Sequence, residues 1–144
     1  MIKAVLDANV LVSGLISPKG PPGRILDAWL AGEFQICISP QILEELSRVL
    51  RYPRIRKRLS VEQTTAILEK LAAAGEWIEG TVKTDVLKRD PSDNVYLACA
   101  LEAHSGYLVT GDQDDFGEIG GEYQGIRILT PRTFLEVLGT YQAG

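Results

Sequence analysis

Apolar residues along this chain fall into short runs and into longer runs with helical spacing. The short, mostly apolar runs predict β-strands at residues 2–6, 34–38, 77–79, 107–110 and 126–129. Helical spacing, with apolar residues three and four positions apart, predicts helices at residues 9–16, 24–31, 40–50, 61–74, 94–103 and 131–138. Strands that alternate with helices predict an α/β fold with a mostly parallel sheet flanked on both faces.

Turn and cap residues set the expected boundaries of these elements. Ser39 followed by Pro40 predicts a helix start, and Ser60 predicts another. The dense proline and glycine of residues 17–23 predict a loop, and so does the composition of residues 113–124. Residues 81–89 fit neither a helix nor a strand and are left unassigned.

Length and composition bound the class of protein. A chain of 144 residues with 45% hydrophobic residues suits a single globular domain, residues 1–144. Its apolar runs are far shorter than the roughly 20 residues of a membrane span. The chain reads directly into a strand with no targeting segment, so we expect a cytoplasmic protein without a membrane partner. Cys37 and Cys99 read as buried thiols, and a single histidine, His104, makes a zinc site hard to build.

The candidate chemistry lies in four acids, each next to a boundary between a strand and a helix. Asp7 and Asp112 each follow an apolar strand, Glu45 lies on the helix after the second strand, and Asp93 introduces a helix. Parallel α/β sheets bind ligands at the carboxyl ends of their strands. Clustered carboxylates repel each other, so a shared site needs a cation, and carboxylate oxygens suit a hard divalent ion.

Each acid also has an ordinary structural interpretation. Asp7 and Asp93 could cap helices, and Asp112 could form a turn after Thr110 and Gly111. Glu45 could be an ordinary surface residue, and the adjacent Glu44 is an alternative candidate for the site. Asn9 is expected to orient Asp7 by hydrogen bonding.

A basic segment interrupts the acidic chain. Residues 48–58 contain no acids, whereas the rest of the chain carries a net charge of −10, and the whole chain −4. Its six basic residues could contact phosphates or could form an ordinary solvated surface; they are Arg48, Arg51, Arg54, Arg56, Lys57 and Arg58.

Taken together, these motifs resemble the PIN-domain nucleases, and within them the toxin-like group related to VapC. The resemblance runs from residue 2 to about residue 138. Its motifs are Leu6-Asp7-Ala8-Asn9, Leu43-Glu44-Glu45-Leu46, Asp90-Pro91-Ser92-Asp93-Asn94 and Val109-Thr110-Gly111-Asp112.

The resemblance implies a three-layer α/β/α sandwich and an acidic quartet at Asp7, Glu45, Asp93 and Asp112. Thr110 matches the family's hydroxyl position and Asn9 its supporting amide. Some relatives place the fourth acid where Asp115 stands, and Asp114 lies beside it. The family further implies a Mg²⁺ or Mn²⁺ requirement, cleavage of RNA, frequent homodimers and, in toxins, an antitoxin partner. As a hypothesis, Asp7, Asp93 and Asp112 ligate one or two such ions, with Glu45 completing the shell.

Two alternatives stay open. A strand that ends in aspartate also begins phosphatases of the haloacid-dehalogenase type, which use that aspartate as a nucleophile. Those enzymes need a second aspartate two residues later, where this chain has Asn9. The other alternative is a degenerate PIN fold that only binds RNA or protein.

Overall fold

The computed structural model describes residues 1–111 and 116–143, except for the side chains of residues 118 and 141–143. Six strands lie within these residues: β1 (Lys3–Leu6), β2 (Gln35–Ile38), β3 (Glu76–Trp77), β4 (Tyr107–Val109), β5 (Glu122–Tyr123) and β6 (Ile126–Leu129). Seven helices lie there too: α1 (Ala8–Ile16), α2 (Pro21–Leu30), α3 (Pro40–Leu50), α4 (Pro53–Arg56), α5 (Val61–Ala74), α6 (Asn94–Ala103) and α7 (Pro131–Ala143). Short 3₁₀ turns cover Pro91–Asp93 and Gly117–Ile119.

The strands form one mixed sheet in the order β3-β2-β1-β4-β6-β5. Every neighbouring pair is parallel except β5 and β6, which are antiparallel. The chain leaves β1 towards β2 on one side and later returns to fill the other side with β4. The crevice between the ends of β1 and β4 is therefore the point where the strand order reverses, which is where open α/β sheets bind ligands.

Helices cover both faces of this sheet, as the sequence predicted. The connection from β1 to β2 and the connection from β3 to β4 cross the sheet in opposite directions. Because such crossovers are right-handed, their helices lie on opposite faces. In agreement, α2 packs against both α1 and α7, while α6 packs against β1, β2 and β4. The α/β/α architecture with a mostly parallel sheet is confirmed.

The predicted helix boundaries at residues 61–74 and 94–103 are confirmed, and so is the strand at residues 126–129. Two loop predictions are wrong in part. Residues 17–23 include the first turn of α2, because Pro21 and Pro22 occupy positions where a helix needs no backbone N–H donor. Residues 113–124 include β5, a two-residue edge strand that is too short to show an apolar period.

Residues 78–90 form an extended strap beside α6 without a long regular element. Three successive N–H groups, those of Gly80, Thr81 and Val82, donate to the carboxylate of Glu102 over 2.8–3.2 Å. The side chain of Asn94 binds both the N–H and the carbonyl of Leu87, which is buried. Two side chains of α6 thus fix the strap along the helix that begins after Asp93.

Among the described residues, no helix combines the length and the apolar character that a membrane span requires. Cys37 and Cys99 are buried and free, as predicted, and burial raises the pKa of each thiol to about 12. His104 is exposed at the C-cap of α6 in a left-handed conformation with φ of 52°. It lies at the other end of α6 from Asp93.

Candidate active site

Asp7 lies at the carboxyl end of the central strand and is 3% exposed. Its Oδ1 accepts a 2.9 Å hydrogen bond from the backbone N–H of Asn9, so the carboxylate caps α1. Its Oδ2 accepts a 2.9 Å bond from the hydroxyl of Thr110. These two bonds fix the orientation of the carboxylate.

The register of the sheet brings Thr110 to Asp7. Leu6 and Val109 are paired residues of β1 and β4, so the next residue of each strand lies at the same edge. The N–H of Asp7 donates to the carbonyl of Val109 over 3.0 Å. Thr110 itself is fully buried. The buried hydroxyl and the buried carboxylate therefore satisfy each other at the switch in strand order.

Asn9 contributes to this arrangement in a different way from the one expected. Its backbone N–H, and not its side-chain amide, holds Asp7. The exposed side chain instead lines a cleft of about 300 Å³ together with Ser13 and Gly111. The cleft lies between the first turns of α1 and Gly111, the residue after Thr110.

Asp93 lies at the N-cap position of α6, at the end of a 3₁₀ turn. The capping interaction of that turn comes from Asp90, which accepts bonds from the N–H and the hydroxyl of Ser92. The side chain of Asp93 makes no capping hydrogen bond with α6. Its position is therefore not explained by helix capping, although the positive end of the helix dipole favours an ionised carboxylate there.

Glu45 lies on α3 and forms a bidentate ion pair with Arg48, one turn further along. The two carboxylate oxygens lie 2.7 and 2.6 Å from Nη2 of Arg48. The other terminal nitrogen of Arg48 donates to the hydroxyl of Tyr52 over 2.9 Å. The guanidinium carbon of Arg54 also lies near this tyrosine, 5.7 Å from the centre of the Tyr52 ring. The acidic site and the basic segment are thus in direct contact.

Tyr96 lies close enough to the three described acids for their charges to act on its phenol. Its ring is buried, with 2% exposure, and its hydroxyl accepts a 3.3 Å hydrogen bond from the N–H of Ala8. Burial raises the pKa of the Tyr96 phenol well above its ordinary value. The negative charges of Asp7, Glu45 and Asp93 raise that pKa further. The phenol therefore stays protonated at the edge of an acidic cluster.

Sequence reasoning missed Tyr96. The helix that carries it is otherwise apolar from Val95 to Ala100, and Tyr96 is the residue of that run with a hydroxyl. It also lies three residues after Asp93, which places both on one helix face. Those two signals could have identified it.

The remaining candidate acids, Asp112, Asp114 and Asp115, lie outside the described residues. Among residues 1–111 and 116–143, no three histidine, cysteine or acidic side chains lie close enough to hold an ion. In chemical type, however, the donors around Tyr96 fit a hard cation such as Mg²⁺ or Mn²⁺, because they are carboxylates and one of them is buried. The carboxylate of Glu45 is already paired with Arg48.

The six basic side chains of residues 48–58 are all exposed. Ile55 and Leu59, which alternate with them, are buried and attach this segment to the core. The segment includes the end of α3 and all of α4, beginning one turn after Glu45. Exposed guanidinium and ammonium groups beside an acidic site can hold the phosphates that flank a reacting one.

Comparisons with known proteins agree with this architecture. Residues 3–114 match the sequence profile of the PIN domain. An uncharacterized protein of Methanocaldococcus jannaschii, MJ1680, is 35% identical, and the match covers 94% of this chain and 90% of that protein. The crystal structure of PAE2754 from Pyrobaculum aerophilum has a TM-score of 0.62 at 17% identity and covers 96% of this chain and 90% of its own. VapBC2 from Rickettsia felis, solved with a DNA fragment from its promoter, has a TM-score of 0.59 at 17% identity, over 90% and 98% of the two chains.

Proposed function

This chain belongs to the PIN-domain family, a family of nucleases, and we propose that it is a metal-dependent endoribonuclease of the VapC-like group. The reaction would be hydrolysis of RNA phosphodiesters with Mg²⁺ or Mn²⁺, in the cytoplasm. The observation that carries this proposal is the position of Asp7. It is a buried carboxylate, oriented by Thr110 at the reversal of strand order, with two further acids around the neighbouring phenol.

We assign the metal ligands to Asp7, Asp93 and Asp112, with Glu45 completing the acidic set. When bound, a divalent ion would neutralise the carboxylates and would polarise a phosphate as a Lewis acid. The chain supplies the geometry: α1 and β4 hold Asp7, while α6 presents Asp93. Thr110 keeps Oδ2 of Asp7 in place, as partners of metal-binding carboxylates do.

The basic segment supplies the proposed contacts with RNA. Arg51, Arg54, Arg56, Lys57 and Arg58 are exposed and project from a surface that adjoins Glu45. Arg48 is the link, because it pairs with Glu45 while it contacts Tyr52. We assign the flanking phosphates to this surface and the reacting phosphate to the acids next to it.

The proposal extends to partners. An antitoxin protein and a second copy of this chain are the partners that the VapC-like resemblance implies. The likeness to VapBC2 supports the shared fold, and the antitoxin itself is part of what we propose.

A second candidate, a binding module without catalysis, is favoured by two observations. Glu45 is held by Arg48, and the described acids do not form a ready cation site. Such a module would bind RNA through its basic segment and would bind Mn²⁺ no better than any acidic surface. Calorimetric titration with Mn²⁺ separates the two candidates, because a nuclease site should bind the ion stoichiometrically.

The test of the proposed function is incubation with a panel of RNAs in Mg²⁺, and then in chelator, with mapping of the cut ends. We expect cuts in Mg²⁺ that carry 5′-phosphate ends and none in chelator. Asp7→Asn should abolish cutting while the protein stays folded, because an amide can still accept from Asn9 and donate to the hydroxyl of Thr110. Asp27→Asn, an exposed acid on α2, is the matched control and should cut at the wild-type rate. Wild-type cutting by Asp7→Asn would refute the assignment.

A further inference from the structure

We propose that Tyr96 is a positioning residue of this site, one whose phenol joins α1 to α6 and offers its O–H to the acidic cluster. This role depends on the proposed metal-dependent function and adds to it a residue outside the acidic quartet. Tyr96 is not assigned to the chemical step itself. It is assigned to the geometry and the charge balance of the carboxylates.

The contact that supports this role connects two segments far apart in sequence. Tyr96 accepts the N–H of Ala8, the residue directly after Asp7, across 88 positions. On its own helix Tyr96 is three residues from Asp93 and therefore on the same face. One phenol thus links the backbone that carries Asp7 to the helix that begins after Asp93. Loss of the link would leave the separation of these two acids less well fixed.

The hydrogen-bonding capacity of the phenol gives the second argument. A tyrosine hydroxyl can accept and can also donate one hydrogen bond. The accepting side is occupied by Ala8, and within the part of the chain that the structure describes the hydroxyl hydrogen has no protein acceptor. Tyr96 is only 2% exposed, and buried donors in proteins are almost always paired. The charges that face it are the carboxylates of Asp7, Glu45 and Asp93.

A neutral donor suits such a position better than a second cation. A guanidinium would pair with the carboxylates, as Arg48 pairs with Glu45, and would oppose the binding of a metal ion. The phenol can stabilise an oxygen of the cluster while it leaves the negative charge available for the ion. A buried phenol stays protonated near neutral pH.

The decisive variant is Tyr96→Phe, which removes one oxygen atom and keeps the buried ring. We expect Mn²⁺ affinity, measured by calorimetry, to fall by about tenfold, within the range found for groups that orient metal ligands. We expect kcat to fall at limiting Mn²⁺ and to recover at excess Mn²⁺, while KM for RNA stays unchanged. Recovery by metal is a result that a purely structural loss would not give.

Tyr107→Phe is the matched control. Tyr107 begins β4 at the opposite end of that strand from Thr110, and its ring packs 5.7 Å from the ring of Phe134. Removal of this hydroxyl should leave Mn²⁺ affinity and kcat at their wild-type values. A second readout uses the wild-type protein with Mg²⁺, which has no absorption of its own. Its binding should perturb the near-ultraviolet tyrosine band, and Tyr96→Phe should lose that change.

The outcomes separate this role from the proposed function. Wild-type Mn²⁺ affinity in Tyr96→Phe, with Asp7→Asn inactive, would overturn the role of Tyr96 and leave the nuclease intact. Active Asp7→Asn would refute the nuclease assignment itself. If Tyr96→Phe does not fold, the wild-type tyrosine spectrum decides: a band that does not respond to saturating Mg²⁺ overturns the positioning role.

Discussion

The hydroxyl of Thr110 donates a 2.9 Å hydrogen bond to Oδ2 of Asp7, and the two residues are 103 positions apart in the sequence. Both side chains are buried at the end of adjacent parallel strands. The bond therefore joins the first strand of the chain to the strand that arrives next to it much later. It is also the most direct link between the folding of the sheet and the orientation of the central acid.

Thr110→Val keeps the shape of the side chain and removes this bond. We expect unfolding free energy to fall by about 1–3 kcal/mol, because Oδ2 of Asp7 loses its buried donor. Cleavage should slow by about 10- to 100-fold, the usual cost of losing a partner of a metal-binding carboxylate. Urea unfolding and RNA cleavage in Mg²⁺ measure the two effects. Thr110→Ser retains the hydroxyl and should stay close to wild type, and a fully active Thr110→Val would show that the bond does not orient Asp7.

Arg48→Gln should strengthen metal binding, because it releases Glu45 from its ion pair. Pairs with this degree of exposure contribute about 0.2–1 kcal/mol, so Mn²⁺ affinity should rise by roughly 1.5- to 5-fold. Calorimetric titration at constant ionic strength measures it. Arg51→Gln, at the C-cap of α3, removes the same charge and leaves the Glu45–Arg48 pair in place. Weaker Mn²⁺ binding by Arg48→Gln than by Arg51→Gln would contradict a competing role for Arg48.

Replacement of Arg56, Lys57 and Arg58 together by glutamine should weaken RNA binding and flatten its dependence on salt. Each phosphate contact on single-stranded nucleic acid contributes about 0.7 to the slope of log K against log salt, so the slope should fall by up to about 2. Fluorescence anisotropy between about 50 and 200 mM salt, in an Asp7→Asn background that does not cut, measures it. Lys70→Gln, an exposed lysine on α5, should leave the slope unchanged. An unchanged slope in the triple variant would place the RNA elsewhere.

Glu102→Gln should loosen the strap in a way that depends on pH. The N–H groups of Val82, Gly80 and Thr81 hold the pKa of Glu102 below its ordinary value of 4.5. A carboxyl with a lowered folded-state pKa stabilises the protein above that ordinary value, and the contribution is lost as pH falls through the folded-state pKa. The difference in unfolding free energy between wild type and Glu102→Gln should therefore be largest near neutral pH and should disappear in acid.

Urea unfolding at a series of pH values measures this difference. Glu69→Gln, an exposed glutamate of α5, is the control and should show little difference at any pH. A difference for Glu102→Gln that is the same in acid as at neutral pH would show that its charge does not hold the strap.

The sequence predicted the elements whose boundaries have local chemical signals. The helix that follows Ser60 was one, since Ser60 and Gln63 form a capping box. The start of α2 was misinterpreted because Pro21 and Pro22 read as breakers, although proline also fits the first turn of a helix. β5 has only two residues, too few to show an alternation of apolar and polar positions, and it is defined by its pairing with β6.

For the site, position was easier to predict than contact. The end of β1 identified Asp7, since a residue that follows a central parallel strand lies at the ligand-binding edge. Glu45 and Arg48 lie three residues apart on one helix, so their ion pair could have been predicted from the spacing alone. The bond from Ala8 to Tyr96 depends on how α6 packs over β1, and no local pattern in either segment encodes that packing.

The position of β1 between β2 and β4 also determines when the surroundings of Asp7 can form during synthesis. A ribosome releases β1 first and β4 only after most of the polypeptide has emerged. Until then Asp7 has neither the Val109 carbonyl beside it nor the Thr110 hydroxyl against its oxygen. A nascent chain therefore cannot complete the surroundings of Asp7, on which the proposed nuclease activity depends, until synthesis is nearly complete.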